Sequence, residues 1–238
     1  MLSEQEILEL IGGYDISDEE AIRQIVEMVR EKRAHLPVLL ELLQNADNWK
    51  VRYRIAIALG ELDIYSEDVA NALISRIRSD KALSVCYAAA KSLVKVSPRG
   101  VEEIIPLLNN DNEGTVGSVS EVVAEIGERR ALPALVSAVR RFPKSCLHSL
   151  IRLAGERALH YVLAAFRGTP LSLRADFINK LFDIFSWYEN FSPNILRHFW
   201  WHLSAIERQE LEAKFYYRFG ERFVEWFSYF TRQLPPHE

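Results

Sequence analysis

One apolar spacing recurs five times along this chain and limits what it can fold into. Leu36, Leu39, Leu40 and Leu43 stand at i, i+3, i+4 and i+7, which places four side chains on one face of a helix. The spacing returns at Val69, Ala72, Leu73 and Arg76, and then at Val101, Ile104, Ile105 and Leu108. It returns again at Leu132, Leu135, Val136 and Val139, and last at Leu159, Val162, Leu163 and Phe166. The starting positions lie 33, 32, 31 and 27 residues apart, room for two helices in each unit. The second helix is clearest as Val51, Ile55, Ala58, Leu59 and Leu62, after the polar turn 44–48. A lone helical hairpin cannot bury both of its apolar faces, so such units stack side by side and share a continuous core. The expected fold is all-α, a solenoid of antiparallel helix pairs.

Composition agrees with this reading. Ten glycines and nine prolines in 238 residues are too few for a turn-rich β fold, and 49% apolar content is enough to fill a core. Ser3 with Glu6 and Ser17 with Glu20 are two capping-box signatures separated by Gly12-Gly13, which predicts an N-terminal helical cap over residues 1–34. Repeats are expected over 35–170. Residues 171–238 form a C-terminal helical region that holds 18 of the 26 aromatic residues, with helix starts such as Ser204 and Glu207 and a break at Gly220. It is expected to pack on the last repeat. Two readings of its aromatics stay open: bulky core filling, or an aromatic interface built on Trp200, Trp201 and Trp226.

Leu36-Pro37 at a helix start, Asp47 in the turn, Val51-Arg52, Ala56 and Leu59-Gly60 together resemble a HEAT repeat of the short bacterial and archaeal type, the kind also found in phycobilisome lyases. Leu132-Pro133 repeats the opening, and Ile126-Gly127 and Ala154-Gly155 repeat the closing glycine. The resemblance covers roughly residues 35–168 and implies a right-handed α-α superhelix. The chain departs from the regular pattern at Cys86, which stands where the next unit would carry the counterpart of Arg52. HEAT-like folds include alkylpurine DNA glycosylases, which are basic and place a catalytic Asp beside aromatic residues. This chain has net charge −4, and its Trp200-Trp201 is followed by His202 and Leu203.

The residues name no reaction. Neither G-x-x-x-x-G-K-[ST] nor G-x-G-x-x-G occurs, so no phosphate cradle is expected. Cys86 and Cys146 lack zinc-ligand spacing and read as buried reduced thiols on separate units. His198 and His202 stand four apart on an expected helix, but Phe199 occupies the position where a zincin carries Glu, so no metal or other cofactor is expected. The acidic start of the chain lacks the pattern of a secretory signal, and no run of about 18 apolar residues occurs, which points to a cytoplasmic protein.

Charge is more informative. Residues 1–31 carry nine acidic side chains against Arg23 and Arg30, and residues 129–174 carry nine basic ones against Glu156 alone. The expected function is that of a non-enzymatic scaffold or adaptor that holds a protein partner with an acidic surface. The candidate contact residues are Arg129, Arg130, Arg140, Arg141, Lys144 and Arg152. Nucleic-acid binding through the same basic stretch is the alternative, followed by an accessory or lyase-type role.

Overall fold

The computed structural model describes residues 3–13, 15–187 and 199–220, and among them every regular element is a helix. The chain divides into two compact units, Met1–Ala134 and Leu135–Glu238. The first contains α1 (Glu4–Ile11), α2 (Asp18–Glu31), α3 (Leu36–Asn45), α4 (Trp49–Leu62), α5 (Glu67–Ser79), α6 (Leu83–Val96), α7 (Gly100–Ile104) and α8 (Glu113–Glu125). The division falls within α9 (Leu132–Arg141). The second unit contains α10 (Pro143–Ala154), α11 (Ala158–Gly168), α12 (Leu171–Trp187) and α13 (Ala205–Phe219).

Helix starts in the first unit follow capping chemistry. Ser3 and Glu6 form the complete reciprocal box at α1. At α2 only half of the expected box closes: the Ser17 hydroxyl accepts from the Glu20 N–H, whereas the Glu20 carboxylate turns to Arg23 at 2.6 Å. Ser66 caps α5, which opens on Glu67 and Asp68 and ends with Arg76 and Arg78, the charge order that suits a helix dipole. The expected helix at Val101–Leu108 is split. Pro106 has no N–H to continue the ladder, and α7 passes into a 3-10 segment from Ile105 to Asn109.

Packing is layered. In the first unit α2, α4, α6 and α8 pack in series, while α3 lies against α4 and α5, and α5 against α6 and α8. Leu39, Leu42, Leu43, Ile55, Leu73, Ile77, Leu93 and Val119 are fully buried between these layers, each large side chain contributing about 2 kcal/mol. Leu36 and Leu40 remain partly exposed, so the buried stripe of α3 lies slightly to one side of the face read from the spacing.

One glycine has a different duty from that expected. Gly60 lies inside α4 and closes nothing: a Cβ there would stand 3.2 Å from Ser92 Cα, so its bareness lets α4 and α6 approach. Asp63, with φ of 52°, ends α4 instead. Gly127, by contrast, adopts a φ of 72° just beyond α8, as a closing glycine should.

Polar ties join successive turns. Arg52 grips Asp80 through both ends of its fork, at 2.7 and 2.8 Å, and its Nη1 donates to the carbonyls of Ala46 and Asp47. One repeat later Cys86 keeps the carbonyl-capping half of that duty, its Sγ donating to Asp80 O at 3.4 Å and Arg76 O at 3.7 Å. Burial pushes this thiol up to about 11, assisted by the Asp80 charge, so it stays protonated near neutrality. Arg54 is 1% exposed and binds the segment linking α1 to α2: it donates to Ile11 O, to Gly13 O at 3.1 Å and to Ile16 O at 2.9 Å, and pairs with Asp18 at 2.7 Å.

In the second unit α10 packs on α11 and α12, and α12 on α13. Phe166, Phe177 and Phe199 form its aromatic centre, with ring centroids 4.8 to 6.0 Å apart. Ser204 and Glu207 complete the capping box expected at α13.

Arg54→Met should lower the stability of the first unit by about 3 kcal/mol, because orphaning a buried carbonyl costs about 1–3 kcal/mol and Arg54 serves three carbonyls. Arg54→Lys should rescue little, since an ammonium cannot reproduce the planar fork. Chemical denaturation monitored by helical circular dichroism checks both variants.

Burial works to raise the Asp80 carboxyl, but Arg52, the Ala82 N–H and Arg76 outweigh it and hold the group below its ordinary value. The stability this contributes is present above the unfolded value, about 3.9, and is lost as pH falls through the lower folded value. Asp80→Asn should therefore destabilise at neutral pH, and the gap from the parent chain should narrow below about pH 4 in denaturation midpoints measured across pH.

Candidate functional site

The register of α4 and α6 sets out the most distinctive surface of the first unit. Lys95 pairs with Glu61 at 2.8 Å, and the bare Gly60 meets Ser92 alongside. The ion pair spans 34 residues and the Gly60 contact 32, so positions about 34 apart are equivalent on the two helices, whose axes lie about 8–10 Å apart. The same offset aligns Trp49 with Leu83 and Tyr53 with Tyr87. These positions follow one another at i, i+4 on each helix; in α4 Trp49 and Tyr53 share their side with Ala56 and Gly60, which are buried farther along the helix.

Trp49 and Leu83 are 44% and 59% exposed, and Tyr53 and Tyr87 are half-buried. A scattered exposed apolar residue is ordinary, but these four stand at equivalent positions of two adjoining helices. The Trp49 ring meets Tyr53 edge-on at 6.3 Å. Tyr87 donates its hydroxyl to Glu125 of α8, and Lys91 pairs with the same carboxylate at 2.7 Å while its Nζ lies 5.7 Å from the Tyr87 ring centre. Burial and then the Glu125 hydrogen bond raise the Tyr87 phenol, and the same carboxylate raises Lys91. Tyr87 stays a neutral donor and Lys91 a cation, so this clasp persists around neutral pH. On α8 the row is met by Gly114, against which the Leu83 side chain packs, with the exposed Glu113 and Glu121 to either side.

The basic candidates are distributed differently. In the first unit Arg129 is exposed and makes no ion pair among the described residues, whereas Arg130 is held by Glu128 at 2.9 Å and Glu102 at 3.1 Å. In the second unit Arg140 is half-buried; it donates to Ala164 O at 3.0 Å and packs on Gly168. Arg141 lies over Phe142, 5.1 Å from the ring centre, and Lys144 pairs with Asp176 at 2.9 Å. Arg152 is exposed and makes no ion pair among the described residues. Four of the six thus have packing or charge partners inside their own unit, which net charge along the chain does not reveal.

Of the aromatic candidates, Trp200 is buried, Trp201 is partly exposed with an unpartnered indole N–H, and Trp226 lies outside the described residues. Arg208 stands over both described tryptophans and donates to Trp200 O and Leu203 O at 3.1 Å. His198 also lies outside the described residues, and His202 is exposed, its Nδ1 3.5 Å from Arg167 Nη2. Cys86 and Cys146 are both buried thiols, neither of them in a disulfide. Among the described residues no three potential ligands cluster for a metal, and no helix is long and apolar enough to cross a membrane. A groove of about 810 Å3 lies between α12 and α13, lined in part by Phe182, Lys214 and the exposed Tyr217.

The aromatic row and the Arg54 clamp were both missed from sequence. The row had a legible signal, the 34-residue offset that matches Tyr53 to Tyr87. Arg54 had none, since its partners lie 36 to 43 residues away in an irregular link.

No curated protein gives a significant match to the chain. The family model for HEAT repeats matches residues 6–94, from within α1 to near the end of α6, and so contains Trp49, Tyr53, Leu83 and Tyr87. With helix pairs stacked in two layers over this same stretch, residues 6–94 of the chain are similar to HEAT repeats in both sequence and fold.

Proposed function

We propose that this protein is a binding module, with no reaction of its own, whose first unit holds a segment of a partner protein across the open face of α4 and α6. The observation that carries the reading is the row of Trp49, Tyr53, Leu83 and Tyr87. Large apolar side chains stand partly in solvent there, while the Glu61–Lys95 pair joins α4 to α6 and the Lys91–Glu125 pair joins α6 to α8. Aromatic anchors on a rigid backbone supply much contact area at little cost in side-chain entropy, which is why Trp and Tyr dominate interface hot spots. HEAT repeats commonly serve as interaction scaffolds, and the position of the row within the matched repeats supports the same use here.

The basic stretch remains the second candidate surface, favoured by the exposure of Arg129 and Arg152. Its other four members have intramolecular contacts that any partner would have to share or displace.

Combining Trp49→Ala with Leu83→Ala should leave helical content intact and shift the unfolding free energy by no more than about 0.5 kcal/mol, as expected of exposed positions. The double variant should lose partners that co-purify with the parent chain from its native cell, while Arg129→Ala with Arg152→Ala should retain them. Retention by the first variant and loss by the second would move the binding surface to the basic stretch.

A further inference from the structure

We propose that the segment held on this face is basic, with Arg or Lys side chains interspersed among apolar ones; the inference rests on the binding face described above. Two kinds of chemistry converge on cationic side chains. The first is aromatic. Trp49 is partly open to solvent beside Tyr53, and ring faces attract guanidinium and ammonium groups, tryptophan most strongly.

The second is charge. Residues 1–134 contain 23 acidic and 15 basic side chains, so the unit that bears the row has a net charge of −8. The helix bordering the row is more one-sided: α8 has no Lys or Arg, while Glu113, Glu121 and Glu125 share its open face. Lys91 and Lys95, the cations of α6 on this surface, are already neutralised by Glu125 and Glu61. Glu121 is exposed and makes no ion pair among the described residues. Beside Tyr87 the row meets α8 at Gly114, whose missing side chain leaves room for the Leu83 methyl group, so Leu83 lies next to these carboxylates. A basic segment would set its apolar side chains on Leu83 and Tyr87 and its charges on Glu113 and Glu121. Phosphate chains and acidic segments would meet a surface of their own sign.

Fluorescence anisotropy with the full chain tests this. The probes are a labelled peptide alternating Arg with Leu, the same peptide with Glu for Arg, and a single-stranded RNA of equal length. The basic peptide should bind at low salt and the other two should not. Glu113→Gln with Glu121→Gln should weaken the basic peptide about fivefold, and Trp49→Ala with Leu83→Ala by at least as much. Glu41→Gln with Glu67→Gln, equal in charge change but placed on α3 and α5, should leave affinity within about twofold, which separates a site from general attraction to an acidic protein. Equal weakening by the two glutamate pairs would overturn the inference. So would preference for the acidic peptide or the RNA in a manner sensitive to Trp49. If the basic peptide fails to bind while Trp49→Ala with Leu83→Ala still abolishes capture of the native partner, the partner's basic character is refuted and the binding face stands.

Discussion

The approach of α4 to α6 governs what the first unit can present. Gly60 lets the two helices meet at Ser92, Arg52 ties the start of α4 to Asp80 before α6, and Glu61 meets Lys95 near the opposite ends. With both ends fixed, the side chains between them have little choice of neighbour. Val51, Ile55, Ala58 and Leu59 turn inward, and Trp49, Tyr53, Leu83 and Tyr87, at equivalent positions of the two helices, stay at least partly exposed. A side chain at position 60 would part the helices and break up the row without touching any member of it.

Buried or partly buried arginines perform a second kind of work. The final carbonyls of a helix lack partners within it, and a guanidinium can serve several at once. In the first unit Arg54 takes Ile11 O at the end of α1 together with Gly13 O and Ile16 O. In the second, Arg208 takes Trp200 O, Trp201 O and Leu203 O before α13. Each arginine replaces regular hydrogen bonding where the chain changes direction. Counted as surface charge, such residues would suggest a binding site; in place they hold the backbone.

Much of the fold is legible in the amino-acid order because helix periodicity and capping are local. Leu39 and Leu43, the Ser3 and Ser204 boxes, and the closing role of Gly127 can each be read from a window of a few residues. Even the break at α7 needs only Pro106. The surface is harder to read, because its character depends on contacts roughly 30 residues away. Arg130 looks like a rim cation until Glu102 is seen beside it, and Lys144 until Asp176 is. Gly60 reads as a terminator by analogy, yet its role is set by Ser92 on another helix. The repeat period links these distant positions, so comparing equivalent residues across units finds the Trp49–Tyr53 and Leu83–Tyr87 row where a linear count of charge does not.

The central claim is that the partner lies on the open face of α4 and α6. The most direct measurement places a photo-crosslinking amino acid at single positions in the native cell and identifies the captured species. Crosslinkers at positions 53 and 87 should capture one and the same protein, while those at positions 129 and 152 capture none above background. Capture from 129 or 152 with silence at 53 and 87 would contradict the account and assign binding to the basic stretch.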